Sequence, residues 1–112
     1  DTQKLWTYYE KRDLVPNTEK ATLKQFDDPE FAPRVADYAM KIAKGFEPFD
    51  YGRIEFRLDR KTGDINFIEI NLNCNLWSEK VVAKAAAAAG FAHPQLLETI
   101  IAEGLRRNGL MA

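Results

Sequence analysis

This sequence predicts an α+β fold, an antiparallel sheet with helices packed on one face. Three observations carry the expectation. Ile54, Phe56 and Leu58 alternate with charged residues; a second apolar segment follows a glycine-containing turn; and apolar residues recur three and four apart before and after this pair. The 112 residues, 46% hydrophobic and 29% charged, have the composition of one globular domain. A domain of this size hides roughly two-thirds of the surface of its unfolded chain, so its stability should be modest and the loss of a neighbour would be felt.

Leu5 to Tyr9 is rich in aromatic residues and suits a strand, and Asn17 to Gln25 suits a loop. Asp28-Pro29 reads as an N-cap followed by a proline whose missing N–H is harmless in a first helical turn. The helix that follows carries the stripe Phe31, Val35, Tyr38, Ala39 and Ile42, with Gly45 at its expected end and Pro33 as a break that could delay its start. Arg53 to Asp59 has the period of a half-buried strand, and Ile65 to Leu72 is its partner. A three-residue loop, Lys61-Thr62-Gly63, with the glycine left-handed, would put Arg60 opposite Asp64, Phe56 opposite Ile68 and Glu55 opposite Glu69. Ser78 is placed as the cap of a helix over Glu79 to Ala89 that Gly90 ends. His93-Pro94 opens the last helix, with His93 as its cap. The stripe there is Leu96, Leu97, Ile100, Ile101 and Leu105, and Gly109 closes it.

The near-neutral charge of -1, with Lys and Arg interspersed among acids, argues against a nucleic-acid partner. No apolar run approaches the roughly 20 residues that span a bilayer, so no membrane partner is expected. A cytoplasmic location is expected, in keeping with the one cysteine, Cys74. Asp1 follows no initiator Met, so preceding sequence is expected.

In the register above, two carboxylates face each other with Cβ atoms about 5 Å apart, which is unfavourable unless a cation neutralises them. Asn71 lies two residues beyond Glu69 on the same face and completes an all-oxygen set suited to magnesium or manganese. Arg53 shares that face, where a guanidinium can hold a transferring phosphoryl group. The bland reading of the same residues is a two-faced hairpin whose Glu and Arg side chains form solvated ion pairs. Cys74 has no suitable base nearby in the sequence. Trp77 could line a pocket or cover the core.

Gly52-Arg53-Ile54-Glu55-Phe56-Arg57 through Phe67-Ile68-Glu69-Ile70-Asn71 resembles the last two metal-binding strands of the ATP-grasp superfamily, in particular the C-terminal domain of D-alanine:D-alanine ligase-like enzymes. The resemblance runs from about Phe31 to Leu105 and includes Ala88-Ala89-Gly90-Phe91 and Leu96-Leu97. It implies that residues 1–112 are the C-terminal part of an ATP-grasp catalytic domain, a fragment inactive alone. By the same resemblance, Glu55, Glu69 and Asn71 are ligands of Mg2+ (or Mn2+), and Arg53 is the catalytic residue that steadies phosphate and the tetrahedral intermediate. Arg57 and Ile68 occupy the positions that face the adenine of ATP, although strict alternation sets Ile68 on the face opposite Glu69.

Asn73, Asn75 and Ser78 follow the metal strand and are the candidate substrate-binding residues. The implied activity is phosphorylation of a carboxylate by ATP and displacement of the phosphate by an amine. The implied partners are the carboxylate and amine, the N-terminal remainder of the enzyme with its glycine-rich loop and lysines, and a second copy in a homodimer. Two features differ from the ligases. Glu55 stands where they usually have Asp, and Leu72 to Ser78 replaces their Pro-Gly-Met segment, so the resemblance implies metal binding but does not name the acceptor. A non-catalytic oxygen-ligand metal module and a structural interaction domain are the alternatives.

Overall fold

The computed structural model describes residues 23–112. The aromatic segment Leu5 to Tyr9 lies outside the described residues. Helix α1 spans Phe31–Phe46, strand β1 Arg53–Asp59, strand β2 Asp64–Asn71, helix α2 Val81–Ala88 and helix α3 His93–Arg107. The architecture is thus α+β, with one two-stranded antiparallel sheet and three helices among the described residues.

Asp28 ties the turn that leads into α1, whose N-cap is Glu30 and not Asp28. The Asp28 Oδ1 accepts the backbone N–H groups of Glu30 and Phe31, each at 3.0 Å, and the Asp28 carbonyl accepts the Ala32 N–H at 2.8 Å. Pro33 has no N–H to give the Pro29 carbonyl, so the bonded run is interrupted after Ala32, and residues 29–30 form a turn ahead of the regular helix, which starts at Phe31. Gly45 does not end it. The last helical residue is Phe46, and Glu47 turns extended because the ring of Pro48 disfavours the helical conformation in the residue before it.

The hairpin corrects the sequence reading twice, and the two corrections cancel. Asp59, not Arg60, faces Asp64, so the loop has four residues, Arg60 to Gly63. The physical reason is the Asp59 side chain. Its Oδ1 accepts the N–H groups of Lys61 at 2.9 Å and Thr62 at 3.3 Å, while its carbonyl accepts the N–H of Gly63 at 2.7 Å. Gly63 has φ of 77°, the left-handed value expected of it. The register then shifts by one between Glu55 and Phe56, a bulge that leaves Ile68 without a cross-strand partner. Phe56 accordingly faces Phe67, not Ile68, and the two rings meet edge to face with centroids 6.2 Å apart. Beyond the bulge Glu55 faces Glu69 as expected.

Ser78 is not a helix cap. Lys80 donates its N–H to the Trp77 carbonyl at 2.9 Å and closes a separate turn, and α2 begins only at Val81 without a side-chain cap. Both later helices end in the same closure. Phe91 N–H bonds to the Ala86 carbonyl and Gly90 N–H to that of Ala87; Leu110 and Gly109 repeat this with Leu105 and Arg106. Gly90 and Gly109 take the required positive φ, 94° and 71°.

His93 does not cap α3 either. Gln95 Oε1 accepts the Ala92 N–H at 2.9 Å, and His93 Nε2 donates to the Leu76 carbonyl at 2.7 Å, tying the loop after β2 to the start of α3. The apolar stripe of α3 is only partly covered. Leu96, Leu97 and Ile100 are half-buried, but Ile101 and Leu105 are exposed. Among the described residues the buried apolar side chains are Phe31, Cys74 and Ala83. None of the described helices is long and apolar enough to cross a membrane.

Candidate functional site

The open end of the hairpin brings the expected site residues together. Arg53 faces Asn71 and Glu55 faces Glu69. Directly opposed residues share a face, and residues two apart on one strand return to it, so all four side chains belong to one side of the sheet. The Arg53 Nε bond to Glu55 Oε1, at 2.9 Å, agrees with this placement. With 31% and 42% of their side-chain surface exposed, this pair is wet and contributes little to stability. Its effect is electrostatic, because Arg53 relieves the repulsion between the facing carboxylates on one side. Glu69 has no ion-pair partner among the described residues.

Asn71 has its amide fixed by the turn that follows. Its Oδ1 accepts the Asn73 N–H at 3.0 Å, and an amide oxygen has a second lone pair to offer. Two carboxylates and an amide make an all-oxygen donor set, the chemistry that Mg2+ and Mn2+ prefer. No group of three His, Cys, Asp or Glu side chains suited to a metal forms among the described residues, and here the third oxygen would come from Asn71.

The remaining candidates are more dispersed. Arg57 is exposed and faces Asn66. Ile68 is 52% exposed at the bulge, where the strict alternation that set it opposite Glu69 no longer applies. Asn73 and Asn75 are exposed, and both have local partners. Asn73 Oδ1 accepts the Tyr51 hydroxyl at 3.3 Å, and Asn75 Oδ1 accepts the Trp77 N–H at 2.8 Å. Ser78 is exposed in the turn before α2. Trp77 is 60% exposed with the Lys80 ammonium 5.9 Å from its ring, so it does not cover the core. Cys74 is buried.

Sequence reasoning missed two long-range anchors around this end. Tyr51 bonds to Asn73 across 22 residues. Arg107 donates from Nε and Nη2 to the two Asp50 oxygens at 3.0 and 2.9 Å, across 57 residues, and holds the Asp50 carboxyl below its ordinary value of 3.8. The only advance signal was position, since Asp50 and Tyr51 lie within three residues of the start of the strand. A mostly apolar hollow of about 390 Å³ lies between Leu23 to Phe26 and α2, and no expected site residue lines it.

Residues 1–102 match the family model described as D-ala D-ala ligase C-terminus. D-alanine–D-alanine ligase A of Bradyrhizobium diazoefficiens is 30% identical over 100 residues, which cover 89% of this chain and 27% of that protein. The chain thus spans about a quarter of the length of the curated relative it matches. No solved structure matches it. With the family match covering nearly the whole chain and Glu55 facing Glu69 across the hairpin as expected, the chain belongs to the D-Ala–D-Ala ligase C-terminal family, an ATP-grasp-type domain.

Proposed function

We propose that this chain is the C-terminal, metal-binding part of an ATP-dependent carboxylate–amine ligase acting through an acyl phosphate. The observation that carries the reading is the pairing of Glu55 with Glu69 beside Arg53 and Asn71, an oxygen set with a guanidinium next to it. In the reaction a carboxylate oxygen attacks the γ-phosphorus of ATP and ADP leaves. An amine nitrogen then attacks the acyl carbon and phosphate departs. Bound Mg2+ or Mn2+ would neutralise phosphate charge and orient the transfer. Glu55, Glu69 and Asn71 would hold it.

Arg53 has its own role in this scheme. The guanidinium, paired here with Glu55, would steady the transferring phosphoryl group and the charge that develops at the acyl carbon. Ile68, exposed beside Glu69, and Arg57 are the candidates to face adenine. Asn73 and Asn75 each accept one bond at the side-chain oxygen, from Tyr51 and Trp77, and their amide N–H groups, with the Ser78 hydroxyl, are the candidates to meet a substrate. The N-terminal remainder of the protein would supply the glycine-rich phosphate loop. The activity named for the relative makes D-alanine the first carboxylate and amine to try.

The test uses the full-length protein and follows Mg2+-dependent nucleotide binding and phosphate release. Glu69→Gln and Glu55→Gln should each lower turnover by about a hundredfold or more at fixed Mg2+, within the loss expected when a group that stabilises transition-state charge is removed. Unchanged turnover and metal response in Glu69→Gln would leave the hairpin structural, as the Arg53–Glu55 pair also allows. Tight Mn2+ binding with no nucleotide binding would favour the non-catalytic metal module.

A further inference from the structure

The two residues that lead into β1 are moulded onto the exit of β2. Tyr51, half-buried, donates its hydroxyl to Asn73 Oδ1 at 3.3 Å. Asn73 in turn donates its backbone N–H to Asn71 Oδ1 at 3.0 Å. Gly52 closes the arrangement from the other side. A Cβ placed there would meet the Asn71 carbonyl oxygen at 3.2 Å and Leu72 Cδ2 at 3.3 Å, so the strand approaches more closely than a larger residue easily permits.

These contacts bear on one atom. The Asn71 amide could rotate to present nitrogen or oxygen to the sheet face, and only oxygen is a metal ligand. The Asn73 N–H selects oxygen and leaves its second lone pair for a cation. The Asn73 backbone is in turn held where the Tyr51 hydroxyl grips its side chain. We propose that Tyr51, acting through Asn73, is a positioning residue that fixes the Asn71 amide oxygen for divalent-metal binding. The inference rests on the metal role of Asn71 given under Proposed function. Neither Tyr51 nor Asn73 would itself hold the cation; they set the direction in which its ligand points, the usual contribution of groups behind a metal ligand.

The experiment measures Mn2+ binding to the full-length protein directly, from the paramagnetic resonance signal of free Mn2+, beside thermal melting. Tyr51→Phe removes one hydroxyl and keeps the ring packing. It should weaken Mn2+ binding about three- to tenfold, at or below the low end of losses seen when a ligand's support is removed, with melting unchanged. Asn73→Ala keeps the backbone N–H but removes the acceptor for Tyr51. The double variant should therefore bind Mn2+ no more weakly than the poorer single variant, because both remove the same bond. Wild-type Mn2+ affinity in Tyr51→Phe, or losses that add in the double variant, would overturn the proposal. Asn71→Ala separates the two levels. If it loses Mn2+ while Tyr51→Phe does not, the positioning role alone fails; if it also binds like wild type, the metal reading fails and takes this inference with it.

Discussion

Asp50 and Arg107 make the best-formed ion pair among the described residues, two parallel bonds at 3.0 and 2.9 Å with Gly104 directly beneath the carboxylate. Because Arg107 holds the Asp50 carboxyl below 3.8, the unfolded chain takes up that proton first as pH falls. The contribution of the pair to stability is therefore complete above 3.8 and is lost as pH drops through the lower folded value. Asn at position 50 should lower the melting temperature at neutral pH and flatten the acid side of the profile; melting curves from pH 7 down to about 2 check this. A steep acid loss that survives in Asp50→Asn would place its origin elsewhere, with Asp28 the next candidate. The Arg60 side chain and the Phe31 N–H hold the Asp28 carboxyl low in the same sense. Neither of the two ion pairs, Asp28–Arg60 and Asp50–Arg107, has a local signature. Asp50 and Arg107 lie 57 residues apart, and nothing in either neighbourhood of the chain names the other.

The helices illustrate what could be read in advance and what could not. Gly90 and Gly109 were legible as stops because their left-handed backbone is a nearly glycine-specific requirement. Replacing either by Ala should cost about 1 kcal/mol through that backbone alone, since neither has an atom within 4 Å of an added Cβ. Chemical denaturation of each variant would show a lowered midpoint with an unchanged slope. Starts were harder. Asp28 announced α1 because an acidic cap and a following proline point to the same place, whereas Ser78, an equally good cap by type, was taken into the turn that Lys80 closes on Trp77. In the hairpin, alternation identified both strands and the facing acids. It did not reveal that the Asp59 side chain would lengthen the loop or that Ile68 would absorb the difference, because local polar bonds decide loop length.

Across the described residues, the thin core accounts for more than any one contact. Phe31 is the one large side chain that is buried, and it lies against the guanidinium groups of Arg34 and Arg60, each 5.5 Å from its ring centre. Truncating it to Ala should cost about 3 kcal/mol or more, a large share of the roughly 5–15 kcal/mol that a domain has, and a lowered midpoint in chemical denaturation checks this. Phe67, Ile68, Trp77, Ile101 and Leu110 remain exposed. The isolated chain is accordingly expected to bind a dye specific for apolar surface and to melt over a broad range, while the full-length protein does neither; a sharp, dye-free transition in the isolated chain would contradict this. The bulge at Ile68 also divides the hairpin into two differently moored halves. Its tip is lashed to α1 by Arg60 to Asp28 and Arg34 to Gly63, while its mouth is bounded by Tyr51 to Asn73 and, through the segment entering β1, by Arg107. The carboxylates thus sit beyond a break in the ladder, and the extra residue of the bulge, rather than the loop at the tip, sets the direction in which that end of the ribbon faces.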